Sequence, residues 1–82
     1  MENLKVYKVD GDIEEVEVER EEVFDTLKEL VDGYVEIVTH TGTTYAVNED
    51  GLSLGLLKNP HLPEFVGDVV EFDINLLDEE EE

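Results

Sequence analysis

Apolar and polar positions alternate with a period of two through the first part of the chain. Leu4 and Val6 alternate with Lys5 and Tyr7, so residues 4–9 read as a strand. Asp10-Gly11-Asp12 supplies turn chemistry, because Gly accepts positive φ and Asp tolerates it. In Glu15-Val16-Glu17-Val18-Glu19 the alternation is strict: Val16 and Val18 face a core, and Glu15, Glu17 and Glu19 face water. The two segments make a hairpin.

The period then changes. Val23, Phe24, Leu27, Leu30 and Val31 fall at i, i+1, i+4, i+7 and i+8, one apolar stripe of a helix. Glu21 and Glu22 lie in its first turn, where negative charge suits the helix dipole, and Gly33 fits the position just past its end. Residues 34–40 and 43–47 are rich in β-branched and aromatic side chains and join through Thr41-Gly42 as a second hairpin. Residues 48–51 form another turn, and 52–57 are a short apolar run that reads as a strand end or a helical turn. Pro60 and Pro63 restrict the residues before them and make 59–63 irregular. Gly67-Asp68 leads into a last strand over 69–74, with Val70, Phe72 and Ile74 on one side.

The order ββ-α-ββ-loop-β predicts a small α+β fold, a mainly antiparallel sheet with one helix packed on one face. Residues 1–77 are expected to form a single domain and 78–82 a disordered acidic tail. At 82 residues the chain is near the lower size at which a core holds without staples. It contains no Cys, which excludes disulfides and thiolate metal sites and suits a reducing compartment. No stretch approaches the roughly 18 apolar residues of a membrane span. The first residues lack a basic region followed by an apolar run, so a cytoplasmic protein is expected, with no membrane partner.

Charge changes the picture most. The chain holds 24 acids against 5 Lys and Arg, a formal −19. The run 78–82 accounts for −5 of this, so −14 remains on residues 1–77. Such a surface works against compaction through self-repulsion and calls for a reason beyond solubility. Glu outnumbers Asp 16 to 8 and Lys outnumbers Arg 4 to 1, the reverse of what salt adaptation would favour.

The succession Leu27-Lys28-Glu29-Leu30-Val31-Asp32-Gly33-Tyr34-Val35-Glu36-Ile37-Val38 resembles a small family of uncharacterised phage and mobile-element proteins. The family is the one catalogued as domain of unknown function 3846. Val47-Asn48-Glu49-Asp50-Gly51, Leu54-Gly55-Leu56, Asn59 and Val66-Gly67-Asp68-Val69-Val70 share the likeness, which covers most of 4–74. The resemblance implies a phage or plasmid origin and no established chemistry. The chain departs from the family pattern in its acidic first hairpin and its Glu tail.

The inventory argues against an enzyme. Ser53 is the only serine, and His40 and His61 are the only histidines, each reading as an ordinary polar loop residue. Carboxylates are abundant, but no one of them is singled out for acid–base work. Asp10, Asp12, Glu14 and Glu21 fall at positions 1, 3, 5 and 12 of a calcium loop. Position 6, which needs Gly, is Glu15, so weak Ca²⁺ or Mg²⁺ binding is expected without a dedicated metal site. No cofactor is expected. Five basic residues, spread along the chain, make no phosphate-binding patch, so direct nucleic-acid binding is not expected either.

The acids are patterned. Glu15, Glu17 and Glu19 project from one side of a strand, about 6.6 Å apart. Glu22, Asp25, Glu29 and Asp32 form one outer helical stripe at i, i+3, i+7 and i+10. Two rows of carboxylates on a rigid frame can imitate a nucleic-acid backbone and compete for the Lys and Arg that neutralise phosphates. The expected function is therefore an inhibitor, from a phage or mobile element, of a basic DNA- or RNA-binding host protein. A restriction enzyme, a CRISPR effector, a repair enzyme or a transcription factor would each serve as target. Glu14, Glu15, Glu17, Glu19, Glu22, Asp25, Glu29 and Asp32 are its expected contact residues. The alternative is a small-molecule or peptide-binding module in which residues 52–65, with Tyr45, line a pocket and the acidity is incidental. The run 52–57 is apolar enough for a homodimer seam, but filling the core is its simpler use.

Overall fold

A computed structural model describes residues 2–74; the expected tail at 78–82 lies outside the described residues. The elements are β1 (Glu2–Tyr7), β2 (Ile13–Val18), a 3₁₀ turn (Arg20–Glu22), α1 (Val23–Val31), β3 (Val35–His40), β4 (Thr43–Asn48), α2 (Gly51–Leu54) and β5 (Val69–Phe72). The strands form one sheet of order β2-β1-β5-β4-β3, and every adjacent pair is antiparallel. The fold is thus α+β, as the sequence pattern predicts, with α1 across one face of the sheet. The last strand enters between the two hairpins and ties them together. No helix among the described residues is long and apolar enough to cross a membrane.

Register decides the faces, since directly opposed residues point the same way. Leu4 opposes Val16, while Val6 and Ala46 both oppose Val70. With Val18 and Phe72 these residues form the floor on which Val23, Leu27 and Val31 of α1 pack. Burying each of those three side chains contributes about 1.5–3 kcal/mol. A helix of 9 residues needs that support, because isolated helices under about 12 residues are marginal in water.

Several details of the helix differ from the sequence reading. Glu21 and Glu22 belong to the 3₁₀ turn ahead of α1, whose first residue is Val23. Asp32, not Gly33, takes the left-handed conformation that ends the helix (φ 62°). Gly33 is needed for space: a Cβ there would lie 2.8 Å from Nδ2 of Asn48. That amide donates to the carbonyls of Val31 (2.9 Å) and Asp32 (3.2 Å), while Oδ1 accepts from the N–H of Asp50 (2.7 Å). The end of β4 therefore caps α1 from outside the helix. Phe24 lies beyond the buried stripe, 47% exposed under the ammonium of Lys28, and Ile74 is likewise exposed past the end of β5.

The other face of the sheet is half covered. Tyr7, Val38, Tyr45, Val47 and Val69 pack there against Leu62 and Phe65 of the segment between α2 and β5. That segment is anchored by Asn59, which is fully buried. Its Nδ2 donates to the carbonyls of Tyr7 (2.8 Å) and Gly67 (2.9 Å), and its Oδ1 accepts from the N–H groups of His61 (3.0 Å) and Leu62 (3.2 Å). The irregular, Pro-bounded stretch is thus a packed strap. The apolar run at 52–57 does not fill the core as expected. Leu52 and Leu54 of the single-turn α2 and Leu57 beyond it are 84%, 61% and 71% exposed, because this stretch lies outside both cores.

Two stability changes are expected. Asn59→Ala leaves two carbonyls and two N–H groups around the site without their partner, and should lower the unfolding free energy by at least about 2 kcal/mol in urea titrations. Thr41 and Gly42 both have positive φ (50° and 82°), the two-residue hairpin turn that favours Asn-Gly. A β-branched residue is strained there, so Thr41→Asn should raise the unfolding free energy by about 1 kcal/mol, read as a higher urea midpoint at unchanged m.

Candidate functional site

All eight acids expected at a contact surface are exposed. The frame separates them into groups. Glu15 and Glu17 oppose Lys5 and Asn3 of β1, and Lys5 in turn opposes Glu71 of β5. They therefore share the face turned away from α1. Glu19, still extended (φ −72°, ψ 146°), ends that row before the 3₁₀ turn. Glu14 has the opposite parity: it opposes Val6, on the helix side, and meets Lys8 at 3.8 Å.

The helical acids lie on the far side of the sheet from Glu15 and Glu17. Glu22 precedes α1 as its N-cap residue without a capping hydrogen bond from its side chain. Asp25 lies in the first turn, 3.6 Å from Lys28. Exposed pairs of this kind are worth about 0–1 kcal/mol. Glu29 and Asp32 sit at the C-terminal end, where the helix dipole disfavours negative charge. The two rows are consequently separate surfaces, not one plane.

The sheet row gains members that the linear pattern did not single out. The strap covers only the Tyr7–Val69–Val47 end of its face, which leaves the other end open. There a shallow cavity of about 480 Å³ is lined by Asn3, Lys5, Glu15, Thr43, Glu71 and Asp73. Glu71 and Asp73 alternate with the buried Val70 and Phe72, so their outward direction was readable; their placement beside Lys5 and Glu15 depends on β5 pairing with β1. Lys5 holds its ammonium 5.3 Å from the centroid of the Tyr7 ring. The Tyr7 hydroxyl donates to Oε1 of Glu71 at 2.6 Å. That bond, with burial and the charge of Glu71, pushes the phenol up to about 12.

The histidines serve the strap. His61 Nε2 lies 2.8 Å from the carbonyl of Gly11, and His40 Nε2 bonds to Oε2 of Glu64 at 2.8 Å. Ser53 is exposed on α2 and forms no hydrogen bond to either ring among the described residues, so no nucleophile–base pair is assembled. Among the described residues, no group of three His, Asp or Glu converges as metal ligands, and the Asp10–Glu21 loop spacing is interrupted by β2.

A second concavity, about 430 Å³, lies at the opposite edge of the same face. Val38, Val47, Leu52 and Phe65 form its apolar lining. Tyr45, expected to line such a pocket, is buried beneath Phe65 instead, with ring centroids 5.7 Å apart. Comparison of the chain with protein-family models, with curated proteins and with solved structures finds no match.

The Tyr7–Glu71 bond has a measurable signature. Of the three tyrosines, one should titrate near pH 12 by absorbance, and Glu71→Gln should bring it down, because the phenolate then meets no carboxylate. Because the folded value lies above the unfolded value of about 10, this contribution to stability is complete below pH 10. It is lost as pH rises from 10 to 12, and the mutant should lose less over that window.

Proposed function

We propose that this protein is an inhibitor, of phage or mobile-element origin, that binds a basic nucleic-acid-handling protein of the host. Its carboxylates occupy the Lys and Arg positions that otherwise neutralise phosphates. The observation that supports this reading is the exposure of all eight patterned acids, five of them on β2 and α1 and three at the ends of these elements, in a body that carries −14 over residues 1–77. Steering by such a field also speeds the encounter with a basic groove.

The open sheet face is the better contact surface of the two. Glu15 and Glu17 stand on adjacent positions of one side of β2, and Glu71 and Asp73 extend the surface across β5. Along each strand these carboxylates stand about 6.6 Å apart, and the β2 and β5 rows are about 9.6 Å apart, with Lys5 of β1 between Glu15 and Glu71. The stripe Glu22, Asp25, Glu29 and Asp32 adds to the long-range field from the other side.

The test begins with the immobilised protein in host lysate at moderate salt, eluted by a salt step and read by mass spectrometry. One dominant DNA- or RNA-binding protein, displaced by added nucleic acid, is expected. Reversing Glu15, Glu17 and Glu19 to Lys should weaken that complex by at least about a hundredfold, with the melting curve still cooperative. Reversing Glu22, Asp25, Glu29 and Asp32 should slow association and flatten the salt dependence without abolishing binding. Equal affinity of the sheet-row variant and the parent would sink the assignment.

A further inference from the structure

The two edges of the sheet differ in how they are guarded. β2 carries Glu14, Glu15 and Glu17 among its six residues, and charge of this density discourages edge pairing. β3 is also six residues long, yet Glu36 is its sole acid, and Ile37 is exposed. The strands stand at opposite ends of the sheet, about 19 Å apart at about 4.8 Å per strand.

The polar groups β3 offers follow from its register. His40 and Thr43 flank the two-residue turn and form the hydrogen-bonded pair next to it. Alternation then turns the N–H and C=O groups of Val35, Ile37 and Thr39 away from β4, toward solvent. Beside them, on the face away from α1, lies the cleft lined by Val38, Val47, Leu52 and Phe65. Glu36, Glu49 and Glu64 stand around its rim. An apolar floor under an acidic rim suits a Lys or Arg side chain, whose methylene stem packs below while its charge stays at the rim.

We propose that the β3 edge accepts an extended basic segment of a partner protein as a sixth, antiparallel strand. Main-chain bonds to Val35, Ile37 and Thr39 hold the segment. Lys or Arg at every second position enters the cleft toward Glu36 and Glu64, and the intervening apolar residues cover Ile37 on the helix side. A second copy of the chain is the poorer occupant, because each copy carries −19 and self-pairing would bring two Glu36 side chains and two acidic rims together. The inference does not rest on the acidic sheet row, since β3 lies at the other edge.

The probe is an acetylated eight-residue peptide alternating Lys with Val and Thr, titrated into the ¹⁵N-labelled full chain. The controls are the same peptide with Glu for Lys, and one with a central Pro. Shifts should concentrate at residues 35–39, and the amides of Ile37 and Thr39 should exchange more slowly on binding. Ile37→Pro removes one outward N–H at an edge, where Pro is tolerated, and should weaken binding by about tenfold. Should that variant unfold, Glu36→Lys gives a second reading: it should weaken the Lys peptide severalfold and strengthen the Glu peptide. Shifts centred on Glu15 and Glu17, equal binding of the Pro peptide, no binding of the Lys peptide, or protection of Ile37 by dimerisation without peptide would each overturn the proposal.

Discussion

The carboxamide of Asn59 uses both of its N–H groups and both acceptor directions of its oxygen inside the protein. It joins the end of β1, the approach to β5 and the first turn of the strap that lies over the sheet. The second core depends on this junction more than on any other single side chain of the strap, for no other among the described residues makes as many hydrogen bonds. Leu62 and Phe65 reach Tyr45, Val47 and Val69 only when the strap is held down, and the strap's own ties besides Asn59 are few: a single β-bridge between Lys58 and Val66, a few backbone bonds and the two histidine contacts. A buried amide with all four bonds made is a strong local constraint, since any displacement leaves several polar groups dry and unpaired. Asn48 does the same for the first core by closing the end of α1 from β4.

Both cores are small, and they must hold a heavily like-charged body together. The structure meets this by setting its acids outward on strands and helix while Val, Leu and Ala fill the layer between sheet and α1. Glu29 and Asp32 even stand at the helix end where their charge is unfavourable. A surface that tolerates such placements is consistent with selection for negative potential over stability, which is the physical basis of the proposed inhibitor role.

The sheet also separates three surfaces. Acids occupy the open part of one face near β2, a second acidic row covers the outer side of α1, and an apolar cleft with an acidic rim borders the β3 edge. A basic partner large enough to carry both a phosphate-binding groove and an extended arm could use the first and third together. The two sites would then act through effective concentration, with neither having to be tight alone.

Period and composition were enough to establish the element order, the helix, both hairpins and the outward direction of the acids. These are local matters: a period of 2 or 3.6 assigns faces within one element, and turn residues mark where elements end. The same information misjudged the ends of α1, because whether Asp32 or Gly33 turns left-handed depends on Asn48 reaching across from β4. It also sent 52–57 to the core, since an apolar run carries no record of which surface remains for it to cover. Tertiary structure alone decided that β5 lies between the hairpins, and with it that Glu71 joins Lys5 and Glu15. It alone put the two acidic rows on opposite sides and left β3 as the thinly guarded edge. Strand neighbours are chosen by the fit of whole faces and by loop closure, which no window of the sequence contains.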